Sequence, residues 1–459
     1  MPSATEYIER NRERFLGELV TLLRFPSVST DPSHVEDVRN CAEWLRDGLA
    51  MLTPTRLELI PTAGHPIIYA AWETAQNAPT VLIYGHYDVQ PADPLELWET
   101  PPFEPSIRNG CIYARGATDN KGQFFAHLKA LEALLNSDNR LPLNVKLLLE
   151  GEEEIGSMNL RPFLEEHREM LKCDTVLISD TALYQDDLPT LCYGLRGLCY
   201  LEVTVRSTAT DLHSGVFGGV VDNPILALAH ILSGLRDGYG RVTIPGFYDD
   251  VVEPTSEERQ RLAALPSDVD TTRRELGAPL LFGEVGYSLL ERRWLRPTLD
   301  VNGIVGGFIG SGAKTVLPAV ASAKLSMRLV PNQRVEDIAA KAEAAIRALA
   351  PPTVNVEVHH LHGANPVVIP IESLPIQVAA RALERTFGRP PVFVREGGTI
   401  PVVEWCAELL RVPIVLMGLG LESEGAHAPN EHFHLKNFFR GIQASVEFLR
   451  EYAYAASSS

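Results

Sequence analysis

The sequence predicts an α/β fold with a mostly parallel sheet, interrupted by an inserted α+β domain of ferredoxin-like type. Three observations carry this. Unbroken apolar runs alternate with helix-period stretches in the first part of the chain, the pattern of strands buried on both faces. The middle part changes to strict apolar–polar alternation, the pattern of a sheet covered on one face. After "HGANPVV" the first pattern returns. The domain limits that follow are 1–194 and 371–459 for the split outer domain and 195–370 for the insertion.

Ala4–Phe25 opens as an amphipathic helix, with Ile8, Phe15, Leu16, Leu19, Leu22 and Leu23 at helical spacing and Pro26 ending it. Strands are expected at Ile67–Ala71, Val81–Tyr84, Val145–Leu149 and Val176–Ser179, and helices at Val35–Leu52, Gln123–Asn136 and Leu160–Met170. In the insertion, "LCYLEVTVRS" puts Cys199, Leu201, Val203 and Val205 on one face, and "AVASAKLSMRLV" does the same with Ala321, Ala323, Leu325, Met327 and Leu329. Helices Pro224–Leu235 and Val335–Leu349 and strand Val354–His360 complete two β–α units. Glu253–Arg293 reads as a polar, mostly helical interruption. The closing part has helix Leu374–Thr386, helix Val402–Leu410, strand Pro413–Met417 and helix Leu435–Tyr454.

Composition narrows the function. Lys plus Arg is 41 and Asp plus Glu is 59, a net charge of −18 that repels a phosphate backbone, so no nucleic-acid partner is expected. No stretch approaches the ~20 apolar residues of a membrane span, so no membrane partner is expected either. The opening segment has no apolar core of signal-peptide length, and the six cysteines show no C-x-x-C spacing; the expected location is a reducing cytoplasm with free thiols.

The chemistry collects after the buried strands. Val81–Tyr84 is followed by His86 and Asp88, two residues apart and so on one side of extended backbone. They are either a polar turn or a metal ligand with its supporting carboxylate. Val145–Leu149 is followed by "EGEEEIGS", Val176–Ser179 by Asp180, and Pro413–Met417 by a loop containing His427. Asp119 lies in "RGATDNKGQ", just before a helix. Each has an ordinary reading alone: Asp119 as a helix N-cap, Glu152–Glu154 as a solvated acidic turn, Asp180 as a turn cap, His427 as a surface histidine. Those readings do not explain convergence on the carboxyl edge of one sheet, where α/β proteins bind ligands. Two histidines with three or more carboxylates and no thiolate suit Zn²⁺ or Mn²⁺. Two adjacent ions need a bridging carboxylate and serve to activate water for hydrolysis.

The motifs "YGHYDVQP", "ARGATDNKGQ", "LLEGEEEIGS", "ISDTA", "YGLRG", "DLHSGVFGG", "GSGAKTVLP", "MRLVPN", "REGGTIPV" and "GAHAPNE" occur in order along nearly the whole chain. In these the sequence resembles the di-metal aminoacylase and carboxypeptidase family of metallopeptidases, especially its dipeptidase branch. The resemblance implies a zinc-exopeptidase-like catalytic domain and an inserted lid that also makes a homodimer. It implies two divalent ions per subunit, zinc with manganese as the alternative. His86 and His427 then match the terminal ligands, Asp119 the bridge, Glu154 and Asp180 the remaining ligands, Glu153 the general base, and Asp88 the group that orients His86. Glu152 is an extra acid.

In the insertion, His213 matches a histidine that reaches the partner subunit's site and helps hold the substrate's carbonyl oxygen. Thr315, Arg328 and Thr399 match substrate-contacting positions, Thr399 often being Ser in relatives. Ala428 stands where many relatives carry Ser after the last ligand histidine. The implied substrate is a dipeptide or small peptide; an N-acyl amino acid is the alternative within the family, and a non-catalytic amino-acid or peptide binder the alternative outside enzymes. The presence of Glu153 and all five matched ligands favours the enzyme.

Overall fold

The structure is a computed structural model and describes residues 2–73 and 77–457. The chain groups into two compact units. One comprises Met1–Tyr193, Ile369–Val394 and Pro401–Ser459; the other comprises Gly194–Val368 and Arg395–Ile400.

The first unit is built on a sheet of strands β1 (Arg56–Ile60), β2 (Ile67–Trp72), β3 (Thr80–His86), β4 (Asn144–Glu150), β5 (Thr175–Ile178), β6 (Thr190–Leu195) and β7 (Ile414–Leu416). Their spatial order is β1-β2-β4-β3-β5-β7-β6. The middle four, β4, β3, β5 and β7, are parallel, with Val81 opposite Val145, Tyr84 opposite Ile178 and Val415 opposite Leu177. Burial on both faces explains their unbroken apolar runs: every residue of β4 and β5 is buried. The flanking pairs β1–β2, β2–β4 and β7–β6 are antiparallel, which an apolar run cannot reveal. Because β3, β4, β5 and β7 run the same way, their carboxyl ends deliver His86, the Glu150–Glu154 segment, Asp180 and the loop after Leu416 to one edge.

Helix Lys121–Asp138 is buried along most of its length and packs behind that edge. A Cβ on Gly85 would lie 2.5 Å from Phe124 Cβ, so only glycine lets this helix approach the end of β3 so closely. Lys121 is buried and its Nζ donates to Leu22 O (3.3 Å) and Phe25 O (2.7 Å), satisfying carbonyls where an N-terminal helix ends. That N-terminal segment is two helices, Ala4–Arg10 and Arg12–Leu23, rather than the single one expected. The break falls at Asn11, whose backbone leaves helical geometry and whose side chain donates to Tyr7 O. Ile8, Phe15, Leu19, Leu22 and Leu23 are buried on both sides of the break and Leu16 is half-buried, so the apolar stripe survives it.

The second unit carries a four-stranded antiparallel sheet in the order Thr298–Gly306, Val320–Leu329, Gly197–Arg206, Asn355–Ala364. Helices Pro224–Gly234 and Val335–Leu349 join these strands in a β-α-β-β-α-β sequence and pack on one face, the ferredoxin-like arrangement. Cys199, Leu201, Val203 and Val205 lie in its core with Ala321, Ala323, Leu325, Met327 and Leu329, as their alternation predicts. Thr298–Gly306 escaped sequence reading. Most of its residues are exposed and its pairing shifts register between Val301 and Gly303, so no alternation marks it. Glu253–Arg293 holds the short helices Ser256–Ala263 and Val269–Glu275 and the start of Leu289–Trp294, with loop between, so it is less helical than expected. Among the described residues no helix is long and apolar enough to cross a membrane, and all six cysteines are free and buried.

Candidate metal centre

His86 ends β3 with its side chain fully buried. Its Nδ1 lies 3.2 Å from the backbone oxygen of Asp88 and 3.3 Å from Asp88 Oδ1, so that face of the ring is held and Nε2 is turned the other way. The Asp88 carboxylate does more than orient His86. It accepts from Glu153 N (3.2 Å), Glu154 N (3.0 Å) and Ser29 Oγ (2.7 Å), tying the end of β3 to the turn Glu153–Ile155 that follows β4.

His86 Nε2 faces Asp119 Oδ1 at 3.2 Å and Asp180 Oδ1 at 3.6 Å. The other oxygen of the same aspartate, Asp119 Oδ2, lies 2.9 Å from His427 Nε2, which is also 3.3 Å from Glu154 Oε2. Two three-residue sets result, His86–Asp119–Asp180 and Asp119–Glu154–His427, each with its donor atoms within 4.8 Å of one another. Asp119 belongs to both.

The Asp119 loop is held from beneath by Glu431. This buried carboxylate accepts from Arg115 Nη1 (2.8 Å), Gly116 N (2.9 Å), Thr118 N (2.9 Å) and Asp119 N (3.1 Å). Asn120 holds the neighbouring arm, donating from Nδ2 to Ser179 O (2.6 Å) and Asp180 Oδ1 (2.8 Å). Gln90 Nε2 donates to Glu154 Oε2 at 2.8 Å. His427 itself sits in left-handed backbone (φ 63°), a conformation that needs its surroundings to hold it.

Charge dominates this edge. Burial pushes the Glu153 carboxyl well above the usual range, with Asp180, Glu154 and Asp119 adding to it against the opposing pull of His86. Burial likewise raises Glu154 and Asp180. Burial would raise Asp119 too, but the imidazoles of His427 and His86 beside it hold it below the usual range. Asp119 and Glu154 push His427 up to about 10. The donor set fits divalent cations on a further observation: His86 Nε2 and Glu154 Oε1 are buried with no hydrogen-bond partner. Such atoms are costly unless something positive completes them.

The second unit groups the remaining sequence-predicted residues in pairs. His213 lies on a two-residue strand opposite Val316, and Ser214 N donates to Thr315 O at 3.0 Å, which brings His213 and Thr315 together. His213 is exposed. Arg328 Nη1 donates to Thr399 Oγ1 (2.8 Å), and Thr399 Oγ1 donates to Arg196 O (2.6 Å). Burial, then the charge of Arg328, pushes the Arg196 guanidinium down to about 10. The two half-buried guanidiniums repel each other.

Residues 82–451 match the model of peptidase family M20/M25/M40. The chain belongs to this family. It is 33% identical over 468 residues to the Cys-Gly metallodipeptidase dug1 of Schizosaccharomyces pombe, covering 98% of this chain and 97% of that protein. It is 33% identical over 401 residues to human Beta-Ala-His dipeptidase, covering 84% of this chain and 78% of the relative. Among solved structures, the M20 family metallo-carboxypeptidase Sso-CP2 from Sulfolobus solfataricus superposes with a TM-score of 0.85 at 35% identity, covering 96% of this chain and 99% of that one.

Within this M20 chain, sequence reasoning passed over Glu431, Asn120, Gln90 and Arg196. All four lie inside motifs quoted for the resemblance. They make no contact that spacing alone predicts, because each works on backbone or side chains brought from other elements. Glu431→Gln tests the loop support. An amide replaces one oxygen that accepts two donors, so the metal-free protein should lose ~1–3 kcal/mol of stability and the purified protein should carry less metal. Denaturant unfolding and elemental analysis measure both; unchanged values would mean that the Asp119 loop stands without Glu431.

Proposed function

We propose that this chain is a dinuclear metallodipeptidase that hydrolyses the amide bond of dipeptides and other short peptides with a free terminal carboxylate. The observation that carries the reading is Asp119, with one oxygen 3.2 Å from His86 and the other 2.9 Å from His427. His86 and Asp180 would hold one ion, Glu154 and His427 the other, and Asp119 both. Zn²⁺ suits this imidazole–carboxylate set, with Mn²⁺ the alternative. When bound, the ions supply an acidified water and a Lewis-acid hold on the scissile carbonyl.

The chain's own groups do the rest. Glu153 shares the buried corner with Asp180, Glu154 and His86. It takes the proton of the attacking water and returns it to the leaving amine. Asp88 keeps Glu153 in register through its backbone N–H. Arg328, braced by Thr399 and lying close to Arg196, binds the substrate carboxylate as a planar fork. Thr315 lies beside His213 and contacts substrate there. His213 donates to the carbonyl oxygen as negative charge develops on it, in the site of a partner subunit.

A homodimer through the second unit is supported by an exposed edge strand, Thr298–Gly306, whose Ile304 and Val305 are 59% and 69% exposed. The dipeptidase names of the fission-yeast and human relatives favour peptides over N-acyl amino acids. Six free cysteines suit a reducing compartment, so we place the activity in the cytoplasm.

Two experiments test the assignments. Glu153→Gln should keep its metal and lose ~10²–10⁴-fold in kcat, whereas Glu154→Gln should lose metal first. Elemental analysis beside dipeptide hydrolysis separates them, and swapped phenotypes would overturn the assignment of the two glutamates. His213→Ala and Glu153→Gln, each inactive alone, should regain activity when their subunits exchange, because a mixed dimer holds one site with both intact groups. Confirmed exchange without recovery would place His213 outside the partner's site.

A further inference from the structure

Away from the carboxylate-rich edge, a different donor set converges on the small sheet of Ser106–Arg108, Cys111–Tyr113 and His432–His434. Antiparallel pairing sets His434 directly opposite Cys111 and His432 opposite Tyr113. Opposed residues share a face of the sheet, as do residues two apart on one strand, so Cys111, His432 and His434 stand together. The Cys111 sulfur and one nitrogen of each imidazole lie within 4.8 Å of one another. Cys111 is buried and both histidines are half-buried.

Both rings are also prepared. His434 Nδ1 lies 2.6 Å from Glu424 Oε1, and His432 Nδ1 lies 3.0 Å from Asn430 O. Asn430 O is a carbonyl. The Glu424 carboxylate takes only donors elsewhere, from His434 N and Leu421 N and from Thr118 Oγ1. Nδ1 therefore carries the proton in each ring and Nε2 keeps its lone pair. An imidazole fixed by a carboxylate or carbonyl behind it is how proteins orient metal-ligating histidines. Tyr113 stacks on His432 with ring centroids 4.6 Å apart and fixes that ring further.

We infer that Cys111, His432 and His434 form a separate metal site for a zinc-class ion, held by one thiolate and two imidazoles with a fourth position left for water. Its ligands are distinct from every residue of the proposed dinuclear centre, so it stands or fails independently of that reading. The ion would act as a clip. One side of it is the strand that leads into Arg115–Asp119; the other follows Glu431 directly. Through Glu424 it also reaches Thr118, the neighbour of Asp119. Binding would release the thiol proton of Cys111.

Cobalt distinguishes the two kinds of site, because only sulfur ligation gives a near-ultraviolet thiolate-to-cobalt charge-transfer band. The metal-stripped full chain titrated with Co²⁺ should show that band. Cys111→Ser should abolish it, and His434→Gln should weaken or shift it. Zinc-loaded Cys111→Ser should hold one equivalent per chain fewer than the parent, with dipeptide hydrolysis retained. A parent protein without the band, or a band that persists in Cys111→Ser, would overturn the site; neither result would touch the dinuclear proposal.

Discussion

Buried carboxylates that face one another cannot all remain charged without a cation, and the rest of this structure follows from that constraint. Asp119, Glu153, Glu154 and Asp180 crowd one end of a parallel sheet with His86 and His427 as basic groups among them. Such a cluster costs stability in an ion-free chain. It persists because the backbone that carries it is fixed by other interactions, above all four parallel strands buried on both faces.

The supporting groups share a common device. Asp88, Glu431 and Asn120 each reach across from one element to hold the backbone or side chain of another. Glu431 spends both oxygens on the loop that positions Asp119, and Asp88 spends its oxygens on the turn that positions Glu153 and Glu154. Charge-assisted hydrogen bonds of this kind are stronger than neutral ones and fix direction as well as distance. The acidic edge is thereby presented with its geometry set before any ion or substrate arrives, the preorganisation that electrostatic catalysis requires.

Much of this was legible in the sequence, for a physical reason. A parallel strand buried on both faces announces itself as an apolar run, and the polar residue that follows it must stand at the sheet edge. His86, Asp180 and the "EGEEEIGS" turn were found that way. What stayed hidden depends on residues distant in sequence. Glu431 meets the loop after Arg115 only once the strands Cys111–Tyr113 and His432–His434 have paired. Asn120 stands beside Asp119 in the same motif, but its amide serves Asp180 on another element. The exposed strand Thr298–Gly306 carries no alternation to read, and the break at Asn11 lies within a stripe that remains apolar on both sides. The Cys111–His432–His434 cluster was invisible because its three members come from two strands whose pairing no local pattern predicts.

The proposed bridging role of Asp119 is tested most directly by anomalous diffraction from crystals grown with Zn²⁺. Two peaks per chain are expected at the carboxyl edge of the sheet, one against His86 and Asp180 and one against Glu154 and His427, with one oxygen of Asp119 on each. A single peak at that edge, or two peaks with Asp119 on only one of them, would contradict the dinuclear account.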